Sequence, residues 1–179
     1  MMESTERVQA LLDKEDIREV LMRYARGIDR HDAELASSAY HHGAVDDHGA
    51  FIGTGDGLVE FANRVHAGHW VQHQHYISNL TIDLDGDIAH CESYFIATLK
   101  RRDGVVDVSG GRYVDRMERK QGKWAIAARA CLVEWSAEMQ PGSSAFPADL
   151  FLQGCWDRDD PSYNRPLTLE RRFRDTSKE

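Results

Sequence analysis

The segment HQHYISNLTIDLDGDIAHCESYFIATLKR, residues 73–101, decides the fold class because it holds two strand-like runs joined by a tight turn. The runs 73–84 and 88–101 alternate apolar and polar residues with a period of two, and the sequence Asp-Gly-Asp between them is typical of a hairpin turn. Two further runs, 105–119 and 123–135, follow after equally short connections. Short connections join antiparallel neighbours, so the sequence predicts a four-stranded meander.

Upstream of the meander the apolar residues recur with a helical period. One apolar stripe consists of Ile17, Val20, Leu21, Tyr24, Ala25 and Ile28. We place the start of this helix at Asp16, because an acidic residue suits a first helical turn. Shorter helices are predicted over 31–40 and 55–65, with a short hairpin over 44–47 and 50–52 between them.

Helices followed by a meander indicate an α+β domain. The prediction is a cone-shaped, curved, mostly antiparallel sheet with the N-terminal helices packed on its concave face, enclosing a pocket. All four prolines lie at or after position 141. We therefore expect the domain to cover 1–137 and a C-terminal extension to cover 138–179.

The extension carries Phe146, Phe151 and Trp156 among prolines and glycines, and 167–175 resembles a charged terminal helix. Such a segment could act as a lid over the pocket or as an arm that contacts a neighbouring subunit. A loosely ordered arm is the equally acceptable alternative. A sheet with one open face favours a homodimer or homotrimer.

Composition excludes several classes of function. The formal net charge is −8 and 41% of the residues are hydrophobic, so the chain has a core but lacks the basic face that nucleic acid or an anionic membrane requires. No apolar run reaches membrane-spanning length, and 1–14 has no signal-peptide core. Three cysteines without metal-type spacing favour reduced thiols and a cytoplasmic location.

His75 is the first candidate for chemistry. It enters the first strand of the meander, and a histidine that faces a pocket can exchange a proton near neutral pH, because its reference pKa is about 6.5. It needs a carboxylate to orient its ring. Asp29, at the end of the first long helix, is the best candidate by position. The alternative is a structural histidine and a solvated acid.

The histidine clusters raise the question of a metal. The cluster His66, His69, His73 and His75 mixes helical and strand spacing, and no single local geometry gathers four such ligands. Asp46, Asp47 and His48 add possible ligands, but we expect no metal and no other cofactor.

Two arginines lie among apolar neighbours in the later strands. Arg112 or Arg129, if it points inward, would bind a carboxylate or stabilise an enolate. The alternative is an arginine on the solvent face, which is more plausible for Arg112. Trp70 is interpreted as a core or rim aromatic.

Four stretches resemble the nuclear transport factor 2-like superfamily: YARGID at 24–29, QHYI at 74–77, GGRY at 110–113 and GKW at 122–124. The resemblance covers roughly 10–136, and within the superfamily it is closest to the SnoaL-like group, scytalone dehydratase and hexachlorocyclohexane dehydrochlorinase. It implies a catalytic dyad of Asp29 and His75, a helix tyrosine at Tyr24 and a pocket arginine near Arg129.

This sequence also departs from the family pattern. Ala97 and Thr98 stand near the place of a second histidine in scytalone dehydratase, and Gly111 and Tyr113 replace its serine and asparagine. Scytalone itself is therefore not the expected substrate. The stretch YHHGAVDDHG at 40–49 resembles a signature of bacterial SnoaL-like proteins. His48 and Asp47 could face the pocket, or they could hold a turn.

The resemblance implies a cofactor-independent lyase, a dehydratase or a related elimination enzyme, or an isomerase that acts on a small hydrophobic ring compound. The predicted catalytic residues are His75, Asp29 and Tyr24. The predicted substrate-binding residues are Arg129, Arg112, His48, Tyr113, Asn79 and Trp70. The alternative is a non-catalytic member that binds a small molecule or a partner protein.

Overall fold

The computed structural model describes residues 4–142 and 150–168. Two of its helices precede the first strand in the chain, and the third lies between the second and third strands. The helices are α1 Ser4–Asp29, α2 Ala33–Ser37 and α3 Gly55–His69. The strands are β1 Tyr40–Asp47, β2 Ile52–Thr54, β3 Trp70–Asp85, β4 Ile88–Arg101, β5 Val106–Lys120 and β6 Lys123–Met139. A short 3-10 turn, Pro161–Tyr163, lies in the C-terminal segment.

The strands form one six-stranded sheet in the order β2-β1-β6-β5-β4-β3. Strands β3 to β6 are the antiparallel meander, and β1 and β2 form the short hairpin. Strand β1 then pairs with β6 in parallel, which brings the first strand in sequence beside the last. The predicted α+β fold, with helices on a curved and mostly antiparallel sheet, is confirmed.

The alternation along the strands decides which residues meet the helices. In β4 and β5, Phe95 and Tyr113 are buried, whereas Tyr94 and Arg112 alternate with them on the other face. The stripe of α1 packs onto this inner face, with Ile17 fully buried. Each such apolar side chain contributes roughly 1.5–3 kcal/mol of transfer free energy when it is buried.

Helix α1 is longer than predicted, since it begins at Ser4 and not at Asp16. A tertiary contact explains the difference. Asp13 is buried and accepts hydrogen bonds from Trp124 Nε1 at 3.0 Å and from Arg119 Nη1 at 2.6 Å. These bonds attach the first half of the helix to β5 and β6. Helix α2 is shorter than the predicted 31–40, and β1 already starts at Tyr40 because it pairs with β6.

Gly27 lets α1 approach α2 closely, and this contact yields the first prediction. A Cβ atom at Gly27 would lie 2.4 Å from the backbone nitrogen of Ala36, so Gly27→Ala should destabilise the protein by about 1–3 kcal/mol through overpacking. Gly68→Ala is the matched control, because nothing lies within 4 Å of its added Cβ. That change should leave the fold as stable or more stable. Urea unfolding of both variants measures the difference, and equal midpoints would contradict it.

The described part of the C-terminal segment lies against α1 and α2 of its own chain. Arg26 Nη2 donates to Ser162 Oγ at 3.2 Å, and the Tyr163 hydroxyl donates to Asp32 Oδ2 at 2.8 Å. The proposed helix over 167–175 and Phe146 fall largely or wholly outside the described residues. A lid function, a subunit arm and a homodimer or homotrimer stay predictions.

None of the helices within 4–142 and 150–168 has both the length and the apolar character that crossing a membrane requires.

Candidate active site

A cavity of about 630 Å³ lies between α1, α3 and the inner face of the sheet. Its apolar walls include Ile28, Leu58, Ala62, Phe95, Ala97, Leu99 and Val108. Pockets of this size and character usually hold a small organic molecule, with a few polar groups that fix its orientation. His75, His48, Tyr24, Tyr113 and Trp70 supply such groups here, and all five line the cavity.

His75 and Asp29 form a hydrogen-bonded pair at the cavity wall. His75 Nδ1 lies 2.7 Å from Asp29 Oδ1, and the His75 backbone N–H donates to Asp29 Oδ2 at 2.9 Å. Because an ionised carboxylate only accepts hydrogen bonds, the neutral form of His75 carries its proton on Nδ1 and has a lone pair on Nε2. His75 and Asp29 are therefore in hydrogen-bond contact at the cavity wall, with the His75 ring held in one orientation.

A second pair, His48 and Asp46, lines the same cavity through its imidazole. His48 Nδ1 lies 2.5 Å from Asp46 Oδ1, and the Tyr40 hydroxyl donates to Asp46 Oδ2 at 2.6 Å. The Asp46 side chain is fully buried. As with His75, the neutral form of His48 carries its proton on Nδ1 and has a lone pair on Nε2.

Asp46 is predicted from the sequence only as a possible metal ligand, so its pairing with His48 was not expected. The available signal was the spacing of 46 and 48 at the end of β1, since residues two apart in an extended chain share a face. Asp47, by contrast, holds the turn after β1, where its Oδ1 accepts the Gly49 backbone N–H at 3.0 Å.

Tyr24 stands next to the second pair. Its hydroxyl lies 3.4 Å from His48 Nε2, and its ring meets Tyr40 and Tyr113 edge to face. Burial raises the pKa of Tyr24, although the nearby Arg129 guanidinium lowers it. The hydroxyl therefore stays protonated and serves as a hydrogen-bond donor.

Arg129, which the family resemblance predicts near the pocket, does not line the cavity. It is buried between the rings of Tyr24 and Tyr113, 4.3 and 4.2 Å from their centroids. Its guanidinium donates to both carboxylate oxygens of Asp115 at 2.7 and 2.8 Å. The positive charge of Arg129 is therefore neutralised by Asp115, beneath the two phenol rings.

Two further residues predicted to bind substrate, Arg112 and Asn79, lie outside the cavity lining. Arg112 lies on the opposite face of β5 from Tyr113 and pairs with Glu92 at 2.9 Å and Glu134 at 2.7 Å, because successive side chains of a strand alternate. Asn79 is exposed at a register shift of β3, where its φ is +44°. The bulge turns it away from the cavity.

Trp70 lies at a polar part of the cavity lining. Its Nε1 donates to Asp107 Oδ2 at 2.7 Å, and Arg101 Nε donates to the same oxygen at 2.8 Å. Both Arg101 and Asp107 line the cavity and were not among the predicted site residues. Their participation follows from the pairing of β3 with β4, which places Trp70 opposite Arg101.

Cys131 also lines the cavity but does not offer a nucleophile. Burial is the main cause that raises the pKa of its thiol to about 12, against the lowering effect of Arg129. A thiol with this pKa is protonated at neutral pH, and only the thiolate is strongly nucleophilic.

The fold gathers a set of histidines different from the one that the spacing suggested. His31, His66 and His73 each place one ring nitrogen within 4.8 Å of the others. His69 is exposed and lies 2.9 Å from the Val65 carbonyl through Nδ1. Asp29, His73 and His75 likewise each place one nitrogen or oxygen atom within 4.8 Å of the others.

Comparison with known proteins identifies relatives of this fold. The family model of the SnoaL-like domain matches residues 9–130. No curated protein gives a significant match.

Solved structures share the fold over most of the chain. A Mycobacterium tuberculosis protein of unknown function superposes with a TM-score of 0.62 at 25% identity, covering 69% of this chain and 77% of its own. A predicted scytalone dehydratase from Novosphingobium aromaticivorans gives 0.66 at 16% identity, covering 75% and 93%. A hexachlorocyclohexane dehydrochlorinase from Novosphingobium barchaimii gives 0.70 at 15% identity, covering 78% and 99%.

Proposed function

Because this chain belongs to the SnoaL-like domain family, within the nuclear transport factor 2-like superfamily, we propose that it is an enzyme of the lyase or isomerase type. Its substrate is a small hydrophobic ring compound that occupies the cavity of about 630 Å³. The observation that carries the proposal is the His75–Asp29 pair, with a nitrogen–oxygen distance of 2.7 Å at the wall of that cavity.

His75 acts as the general base. Its Nε2 lone pair removes a proton from a carbon next to an activating group, and the C–H electron pair becomes the new double bond. Asp29 orients the ring and stabilises the imidazolium that forms. General base catalysis of this kind contributes about 10²–10⁴ in rate.

Tyr24 assists the leaving group. Its protonated hydroxyl turns from His48 Nε2 to donate a hydrogen bond to the departing oxygen or halide, and the contacts with Tyr40 and Tyr113 keep its ring in place. In a dehydration the C–O bond breaks, and the His75 imidazolium returns its proton to the hydroxide, which leaves as water. In an isomerisation the same proton returns to a different carbon.

The cavity walls favour this chemistry. Apolar side chains exclude water, and a proton transfer or a hydrogen bond in such surroundings has a larger electrostatic effect than in water. One neighbour in fold removes hydrogen halide from a chlorinated ring and another is a predicted dehydratase. These activities support an elimination on a ring substrate, and the proposed reaction needs no cofactor.

The experiment is a substrate screen in D₂O. Cyclic alcohols and halides with an activated neighbouring C–H bond are incubated with the protein, and mass spectrometry records loss of water or hydrogen halide. A product of unchanged mass but different chromatographic retention, with or without incorporated deuterium, reports isomerisation. If cavity-sized compounds bind and neither change occurs, the proposal fails and the alternative of a non-catalytic binding protein gains support.

Tyr24→Phe is expected to lower kcat about tenfold. The change keeps the ring contacts with Tyr40 and Tyr113 and removes only the hydroxyl, whose hydrogen bond to a leaving group contributes roughly 0.5–1.5 kcal/mol. Steady-state kinetics on the substrate from the screen measures the effect. Tyr76→Phe is the control, because Tyr76 is exposed and its hydroxyl contacts Gln74. An equal loss in both variants would contradict a specific role for Tyr24.

A further inference from the structure

Three histidines from three separate elements meet beside the cavity. His31 follows the C-terminal end of α1, His66 lies in the last turn of α3, and His73 lies in β3. Their ring centroids are 4.6 Å apart for His66 and His73, 5.4 Å for His31 and His73, and 6.2 Å for His31 and His66.

Each of the three rings has a buried nitrogen that no described residue satisfies. These atoms are His31 Nε2, His66 Nδ1 and His73 Nδ1. A buried polar atom without a hydrogen bond costs roughly 1–3 kcal/mol, so three such atoms in one cluster require an explanation. The His73 side chain is fully buried, which leaves its Nδ1 no access to bulk solvent.

We propose that His31, His66 and His73 form a binding site for one divalent first-row transition-metal ion, with Zn²⁺ as its representative. Neutral imidazole is a preferred ligand of such ions. The ring nitrogens around a tetrahedral Zn²⁺ lie about 3.3 Å apart, given Zn–N bonds of about 2.0–2.1 Å. One nitrogen of each ring lies within 4.8 Å of a nitrogen of the other two, so the three rings would move closer together around a bound ion.

The surroundings of His73 match those of a metal ligand. Its Nε2 donates to the Ile28 carbonyl at 2.7 Å, which leaves the Nδ1 lone pair for an ion. A ligating histidine commonly donates its other N–H to a backbone carbonyl in this way.

Neutral rings keep their lone pairs available. Burial is the main cause that lowers the pKa of His66 to about 3 and that of His73 to about 4. Burial also lowers the pKa of His31.

The neighbouring group of Asp29, His73 and His75 provides a useful contrast. Its possible ligand atoms also lie within 4.8 Å of one another. However, Asp29 Oδ1 is already hydrogen-bonded to His75 Nδ1 at 2.7 Å, and His73 Nε2 is hydrogen-bonded to the Ile28 carbonyl. Those atoms are occupied, so the unpartnered nitrogens favour the first cluster. The proposed reaction of His75 does not pass through this metal.

The C-terminal segment closes the cluster on one side. The Trp156 ring stacks on His31 at 4.0 Å with an interplanar angle of 13°, and its centroid lies 5.0 Å from that of His73. A bound ion would therefore join α1, α3 and β3 under the segment that carries Trp156. Its role in this position is to hold these elements together.

The test uses the full chain without an affinity tag, treated with a chelator and then titrated with Zn²⁺ by calorimetry. Elemental analysis after dialysis measures the bound stoichiometry. We expect one Zn²⁺ per chain for the wild type and for His69→Ala, whose histidine is exposed at the end of the same helix. His31→Ala and His66→Ala should each bind at least tenfold more weakly, with far-UV circular dichroism confirming that both remain folded.

Two results would overturn the site: the absence of stoichiometric Zn²⁺ from the wild type, or equal losses of affinity in His69→Ala and His66→Ala. A second readout is the thermal midpoint, which should rise with Zn²⁺ in the wild type and His69→Ala but not in His66→Ala. None of these measurements contains a substrate, so their outcome is independent of the reaction proposed for His75.

Discussion

His75→Ala is expected to lower kcat/KM by about 10²–10⁴, the usual contribution of a positioned general base. The variant removes the imidazole but keeps the backbone N–H that donates to Asp29 at 2.9 Å, so the fold should persist. Kinetics on the substrate found in D₂O measures the loss, together with the rate at which the substrate exchanges its carbon-bound proton. Both rates should fall together.

Asp29→Asn tests the orienting role in the same assay. An amide that accepts the backbone N–H of His75 presents its NH₂ group to Nδ1, which favours the tautomer with the proton on Nε2 and removes the basic lone pair from the cavity. A loss comparable to that of His75→Ala is expected. His90→Ala, an exposed histidine on β4, is the matched control and should keep full activity.

The same kinetics on His48→Ala test whether His48, and not His75, is the general base. If His75→Ala retains activity while His48→Ala abolishes it, the His48–Asp46 pair carries the proton transfer. Full activity in both variants would remove the general-base mechanism altogether.

Asp115→Ala is expected to destabilise the protein by about 3–5 kcal/mol, because it leaves the Arg129 charge buried without its partner. Both side chains are fully buried and joined by two hydrogen bonds. Arg129→Met should cost a similar amount, since it strands the carboxylate. Urea unfolding measures the free energies of unfolding.

The double variant Asp115→Leu with Arg129→Met separates pairing from packing. Replacing both charges by apolar groups of similar size is often neutral or stabilising, so the double variant should recover most of the loss. Arg112→Met is the control. Arg112 lies on the outer face of β5, where its ion pairs with Glu92 and Glu134 are partly exposed, so the change should alter stability little. A stable Asp115→Ala variant would show that the pair is dispensable.

Local patterns allowed much of the fold to be predicted. The alternation of 88–101 and the turn Asp85–Gly86–Asp87 correspond to β4 and the β3–β4 connection, because both depend on residues adjacent in the chain. The start of α1 could not be read in the same way. Asp13 holds its first half through Arg119 and Trp124, which lie more than 100 positions away.

The proximity of Asp29 and His75 was expected from a family resemblance, and their spacing alone did not require it. The alternation of β5 separates Tyr113 from Arg112, but it does not say which of them faces the cavity. That choice depends on where the helices pack. The position of Arg129 could not be predicted from alternation either. Its side chain points inward, but the rings of Tyr24 and Tyr113 lie between its guanidinium and the cavity.

The sequence by itself determined the order of helices and strands, the hairpin turns and the family. Only the tertiary structure decided three further contacts. Asp46 is hydrogen-bonded to His48, Arg129 is paired with Asp115, and one cluster contains His31, His66 and His73. The physical reason is range. Periodicity and turn chemistry are set by neighbouring residues, whereas these contacts arise when β1 pairs with β6 and the helices close over the sheet, which brings together side chains that no local spacing relates.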